Sequence, residues 1–248
     1  MLYKQPENAD ILVAHGRPSQ EALPRRFTVC VWNWQKCKHK KWAGEFTKIA
    51  QAADLFLAQE VHRSCSVKNI MDQAPYYWSG AVSFFSLKDK NPIGVATGCR
   101  AQPLQVAYAA AAREPVLRVP KMTLSALYPV QNTRRRLLVI NIHAINFTGL
   151  KPFENNMQCT AEMLASYNGP VLLGGDFNSW NTNRRRMLQS MAKAAGLSEV
   201  TFEPDDRTRC LGRPVDYLFV RGLTVLARGV RVTDASDHNP LLARLEAA

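Results

Sequence analysis

The chain has 248 residues, 46% of them hydrophobic and 21% charged, and 32 Lys and Arg against 20 Asp and Glu give a formal charge of +12. That composition excludes a disordered or fibrous chain, and no apolar run approaches the ~20 residues that a membrane-spanning helix needs. The positive balance favours a polyanionic partner, nucleic acid before anionic lipid, because clustered Lys and Arg gain affinity by displacing counterions from phosphates.

In chain order, residues 1–26 are polar, contain proline and show no sustained periodicity, which predicts an irregular arm leading into one domain over 27–248. The arm lacks the charged start, apolar middle and small-residue cleavage site of a secretory signal, so a cytoplasmic location is the default expectation. Short apolar runs at Phe27–Asn33 and Leu55–Glu60 predict strands, and between them Trp42, Phe46, Ile49, Ala50 and Ala53 recur at helical spacing. Further strands are predicted at Ala81–Ser86, Gly94–Gly98, Met122–Tyr128, Leu137–Ile142, Val171–Gly174, Tyr217–Val220, Val225–Val232 and Leu241–Leu245. Phe153, Met157, Ala161 and Leu164 mark the face of a second helix. Met187, Leu188, Met191, Ala194 and Ala195 mark a third, closed by Gly196. This pattern suits a layered α/β fold of two packed sheets with helices outside. The six cysteines are scattered without CxxC spacing, which predicts free thiols.

Several predicted strands end on groups that a buried strand would not choose: Asn33, Glu60, His143, Asp176 with Asn178, and the pair Asp237-His238 just before the last strand. Singly, each has an ordinary explanation, such as an Asx turn at Asp176, a surface acid at Glu60, a core histidine at His143 or a turn cap at Asp237. Their recurrence is what turns suggest no reason for, since ionisable groups at the ends of buried strands need a partner, a metal or water. Glu60, Asp237 and Asn33 offer the hard oxygen ligands that Mg²⁺ accepts beside a phosphate. No zinc-type spacing is present.

These residues carry a family likeness. Gln59-Glu60, "NIHAIN" (Asn141–Asn146), "GGDFN" (Gly174–Asn178), "VDYLFVRG" (Val215–Gly222) and "SDHNPL" (Ser236–Leu241) resemble, in order and spacing, motifs of the endonuclease/exonuclease/phosphatase superfamily related to deoxyribonuclease I. "REPVLR" (Arg113–Arg118), "NIHAINF" and "ASDHNPLL" are similar to a bacterial subgroup of it. The resemblance implies a four-layer α/β sandwich of two mainly antiparallel sheets flanked by helices, and cleavage of phosphate esters with Mg²⁺ or Mn²⁺. By motif, Glu60 is the main metal ligand, assisted by Asn33 and Asp237. His238 with Asp216 resembles a base and its orienting carboxylate, Asp176 and Asn178 position water and phosphoryl oxygens, His143 lies near the scissile phosphate, and Asn146 helps hold it.

The expected reaction is metal-dependent hydrolysis of nucleic-acid phosphodiesters, DNA before RNA, by a chain that is monomeric by default and forms no stable membrane association. Neutral His238 would accept a proton from water, with Asp176 competing for that role, so activity should fall below the ~6.5 at which an unperturbed imidazole protonates. The alternatives are a phospholipid or inositol-phosphate esterase and a nucleic-acid-binding module without chemistry. Basic runs at Lys36–Trp42, Asn132–Leu137 and Asn183–Met187 read either as groove-lining phosphate contacts or as solvated turns. Trp34, Trp42 and Trp180 read either as base-stacking platforms or as core.

Overall fold

In the computed structural model, which describes residues 3–114 and 119–247, nine of the ten predicted apolar runs lie within a strand, and the tenth, Val225–Val232, runs two residues past the end of its strand at Val230. The first half of the chain forms β1 (Tyr3–Lys4), α1 (Asn8–Ile11), β2 (Leu12–Gly16), β3 (Arg26–Asn33), α2 (Trp42–Ala52), β4 (Leu55–His62), α3 (Cys65–Gln73), β5 (Tyr77–Ser86), β6 (Pro92–Cys99) and β7 (Gln105–Arg113). The second half forms β8 (Pro120–Pro129), β9 (Arg136–His143), α4 (Leu150–Ala165), β10 (Val171–Asp176) and α5 (Thr182–Ala194). The short strands β11 (Ser198–Glu199), β12 (Arg209–Cys210) and β13 (Arg213–Pro214) follow, then β14 (Asp216–Arg221), β15 (Leu223–Val230) and β16 (Leu241–Ala247). Pro115–Arg118 of the "REPVLR" stretch lie outside the described residues.

The strands make two main sheets, one ordered β1-β5-β6-β4-β3-β16-β15 with β2 also on β5, the other β11-β14-β10-β9-β8-β7. Among the described strands β3–β4 and β9–β10 form the parallel ladders, and the remaining ladders are antiparallel. The two-residue side-chain period of a strand explains the layering. Val29 and Val31 of β3 join Leu55, Leu57, Val139, Leu172 and Leu218 between the sheets. The intervening Cys30 and Trp32 face outward, against Trp42, Phe46 and Ile49 of α2 and Val67 and Met71 of α3. On the second sheet Ile140, Ile142 and Leu173 pack beneath Phe153 and Met157 of α4 and Leu188 and Met191 of α5. Helix, sheet, sheet and helix therefore stack as four layers.

The reading of residues 1–26 as an irregular arm needs correction, because β2 pairs with β5 from Leu12↔Ala81 to Gly16↔Tyr77 and so extends the first sheet. Its five residues present a half-exposed edge with no alternation to signal it. Helix α3 has only Val67 and Met71 buried, and Ser64 caps its start by accepting from the Val67 amide at 3.3 Å.

The approach of β9 to β10 depends on Gly175. Its φ is +148°, and a Cβ there would fall 1.9 Å from the Ile142 carbonyl oxygen. Gly175→Ala should therefore cost more than about 3 kcal/mol of stability, read as a lowered urea midpoint, because backbone and not a flexible side chain meets the added carbon. A midpoint equal to that of the wild-type protein would show that β9 and β10 can separate freely.

Candidate active site

Strand register gathers the polar ends. In the second sheet His143, Asp176 and Asp216 stand side by side on β9, β10 and β14, since Asp176 is the register partner of both others. In the first sheet Asn33 ends β3 beside Gln59 of β4, and a bulge between Ala58 and Val61 places Glu60 at φ +50°. A non-glycine residue held there costs energy and marks a position that the surroundings impose. His238 arrives from the segment before β16, where its carbonyl accepts the Trp32 indole N–H at 2.9 Å.

These elements converge. His238 Nδ1 lies 2.7 Å from Asp216 Oδ2, and one atom each from Asp176, Asp216 and His238 fall within 4.8 Å of one another. His143 Nε2 is 3.5 Å from Asp176 Oδ2 and 3.9 Å from Glu60 Oε1. Asn33 Nδ2 donates to Asp176 Oδ2 at 3.1 Å, and its Oδ1 accepts from the Gln35 amide at 3.0 Å. The Asn178 amide N–H donates to Asp176 Oδ1 at 3.0 Å.

Other expected residues stand differently. Asn178 Nδ2 is committed to the Ala144 carbonyl at 3.0 Å, so its side chain braces the loop after β9. Asn146 Oδ1 accepts from the Phe147 amide and from Trp180 Nε1. Asp237 is exposed, and its Oδ1 faces Ser236 Oγ at 3.4 Å rather than joining Glu60. Ser236 Oγ in turn donates to the Asn33 carbonyl at 2.7 Å, which ties the segment to β3.

Two lysines complete the centre, Lys121, which the sequence did not single out, and Lys36 of the first basic run. Lys121 Nζ lies 3.1 Å from His143 Nε2, 3.6 Å from Glu114 and 3.9 Å from Glu60. Lys36 Nζ lies 4.0 Å from Glu60, carried there by three successive residues with positive φ, Gln35, Lys36 and Cys37. Of the basic runs, only this lysine reaches the centre. Arg134–Arg136 sit at the start of β9, about 23 Å of strand from His143 at its end.

Arg184 is fully buried. It donates to the carbonyls of Ile145, Asn178 and Thr148, stacked between Phe153 and Trp180. It is a positioning residue for the two loops that carry Asn146 and Asn178. Trp34 and Trp42 are buried in the aromatic cluster under α2, so core packing is the outcome for both.

Burial, then the charges of Lys121, His238 and Lys36, hold the His143 imidazole well below its usual range, so it is neutral. Burial pushes the Asp176 carboxyl up to about 7, with the charge of His238 opposing and that of Asp216 assisting. Burial would lower His238, but the charge and hydrogen bond of Asp216, with Asp176 and Asp237 behind them, outweigh it and raise the imidazole to about 10.

The donors present suit a divalent cation: among the described residues Asp216 Oδ1 is buried without a hydrogen-bond partner beside the Asp176 carboxyl, and the Glu60 carboxylate faces two lysines and an imidazole. Hard carboxylate oxygens at a half-open mouth are the donor set that Mg²⁺ accepts.

Two packed sheets flanked by helices, with acids and imidazoles gathered at one set of strand ends, define a deoxyribonuclease I-like hydrolase of phosphate esters. The profile of the Endonuclease/Exonuclease/phosphatase family matches residues 32–238, and the chain belongs to that family. A UPF0294 protein of Yersinia pseudotuberculosis serotype O:1b is 38% identical over 234 residues, covering 93% of this chain and 88% of its own. Among solved structures, ANGEL2, a 2′,3′-cyclic phosphatase in complex with adenosine-2′,3′-vanadate, superposes with a TM-score of 0.65 at 18% identity, over 90% of this chain and 96% of that one. A Bacteroides thetaiotaomicron mannosyl-6-phosphatase gives a TM-score of 0.65 at 18% identity, over 88% and 99%. At that identity the likeness concerns the fold.

Two measurements follow from the geometry. Arg184→Met should lower stability by about 3 kcal/mol, because several buried carbonyls lose their donor together. A loss below about 1 kcal/mol would show that water replaces the guanidinium. His238, raised from ~6.5 in the unfolded chain to about 10, contributes stability that is fully present below ~6.5 and lost as pH climbs toward about 10. In EDTA the urea midpoint should thus fall between pH 7 and 10, and His238→Gln should flatten that fall.

Proposed function

We propose that the chain is a divalent-metal-dependent phosphodiesterase acting on nucleic acid, DNA before RNA. The observation that carries the reading is the juxtaposition of a hydrogen-bonded His238–Asp216 pair, a buried Asp176 and a neutral His143 within reach of Glu60. The formal charge of +12 supports a polyanionic substrate.

A phosphodiester repels hydroxide through its own charge, so hydrolysis needs a base for water, positive charge at the phosphoryl oxygens and help for the departing oxygen. The electrostatics favour Asp176 as the base, since its carboxyl titrates near 7 and accepts a proton from water at neutral pH. His238, expected from sequence to be neutral, is better suited as an imidazolium. Its Nδ1–H donates to Asp216, which leaves Nε2–H for a phosphoryl or leaving oxygen. Lys121 donates to the neutral His143 and brings a further positive charge to the same edge. Glu60, with the unpartnered Asp216 Oδ1 in place of the exposed Asp237 and the hydrogen-bonded Asn33 side chain, would hold Mg²⁺, or Mn²⁺ in its place, and the ion would neutralise charge on the phosphoryl oxygens.

Plasmid nicking with Mg²⁺, beside single- and double-stranded DNA, RNA, phosphomonoesters and lipid headgroups, tests the reading. Cleavage should vanish in EDTA, and Asp176→Asn and His238→Gln should each lower kcat/KM by about 10²–10⁴-fold. Binding of DNA without metal-dependent cleavage would overturn it in favour of a binding module. The pH profile of kcat/KM should be bell-shaped, rising as Asp176 loses its proton near 7 and falling as His238 loses its own toward about 10. A rate that still climbs above pH 10 would remove His238 from the role of acid.

A further inference from the structure

Beside the acid–imidazole cluster a pocket of about 170 Å³ opens between β5, β6, β8 and the loop after β9. That volume is below the roughly 300 Å³ at which pockets for drug-sized ligands begin, so it takes a single ring system and not a length of polymer. Its walls differ in kind. Phe84, Ile93, Val95 and Met122 make one side apolar, whereas Lys36 and Lys121 with Glu60 and Glu114 make the side near His143 charged.

Phe147 stands at the rim. It is 74% exposed, and its backbone lies at φ +47°. The strain is held in place, because the Phe147 amide donates to Asn146 Oδ1 at 2.8 Å and Trp180 Nε1 donates to the same oxygen at 2.9 Å. Single exposed apolar residues are ordinary on protein surfaces. A strained aromatic whose amide is tied to Asn146, at the mouth of a half-apolar pocket with His143 and Glu60 in its wall, offers a platform for a flat ring beside a phosphate.

We propose that this pocket is a nucleoside subsite, in which the base flanking the scissile phosphate stacks on Phe147 while Lys36 and Lys121 face the phosphate. The proposal rests on the phosphodiesterase reading and narrows it. A base enters such a pocket only after leaving its own helical stack, so single strands, ends and nicks are the preferred substrates and intact duplex the poor one.

The test compares kcat/KM on p-nitrophenyl esters that share one leaving group: thymidine 5′-(p-nitrophenyl phosphate), its 3′ isomer, methyl p-nitrophenyl phosphate and p-nitrophenylphosphorylcholine. The wild-type protein should prefer a thymidine ester, Phe147→Ala should lower the thymidine-to-methyl ratio about tenfold, and Phe147→Trp should restore it. An unchanged ratio, a wild-type protein indifferent to the nucleoside, or preference for the phosphorylcholine ester overturns the subsite. If no ester is cleaved with Mg²⁺ or Mn²⁺, the phosphodiesterase reading fails by itself, and titration with thymidine 5′-monophosphate then decides the subsite. Binding about tenfold weaker in Phe147→Ala upholds it, and equal binding to both proteins overturns it.

Discussion

A polar clasp between the two sheets fixes the rest of the architecture. Gln59 Nε2 of β4 donates to Asn141 Oδ1 of β9 at 2.7 Å, and Asn141 Nδ2 donates to the carbonyls of Ala58 and Ala96 at 3.2 and 3.0 Å. Hydrophobic contact between the sheets is large but non-directional and would tolerate sliding. Buried amides do not, because each unpaired group costs about 1–3 kcal/mol. The clasp therefore sets how far β4 and β9 advance past each other. It lies one residue before Glu60 and two before His143, so the same registration determines whether those two side chains meet.

Strain follows that registration to the mouth of the sandwich. Lys36, Glu60, Phe147 and Asn178 all hold positive φ there. A rigid four-layer frame can sustain several such residues, at a cost of order 1–3 kcal/mol each. Loops alone would relax. The charge arrangement is equally dependent on the frame, since Asp176 is pushed up and His143 down chiefly by burial between packed strands.

Much of this was legible in the amino-acid order. The strands of both sheets alternate between two apolar faces or run continuously apolar, and the ends carrying Asn33, Glu60, His143, Asp176 and Asp216 interrupt those runs abruptly. What escaped did so for physical reasons. Strand β7 is an alanine-rich edge with little side-chain pattern to report its pairing, and α3 buries only two apolar residues. Lys121 precedes a predicted strand and looks like an ordinary solvated lysine, because only tertiary packing brings its ammonium to His143. Arg184 hid inside a basic run. Its spacing with Leu188 and Met191 on one helical face was the available signal, and the three are buried together.

The position of β16 has a temporal consequence. This strand lies between β3 and β15, and the segment just before it delivers His238 to a carbonyl clasp with Trp32, 206 residues earlier. Pairing of such separation closes late, since a long loop must be ordered before the contact repays it. A growing polypeptide that has already laid down Glu60, His143 and Asp176 still lacks its imidazolium and a central ladder of the first sheet. Assembly of the polar cluster therefore waits on the pairing of β16 with β3.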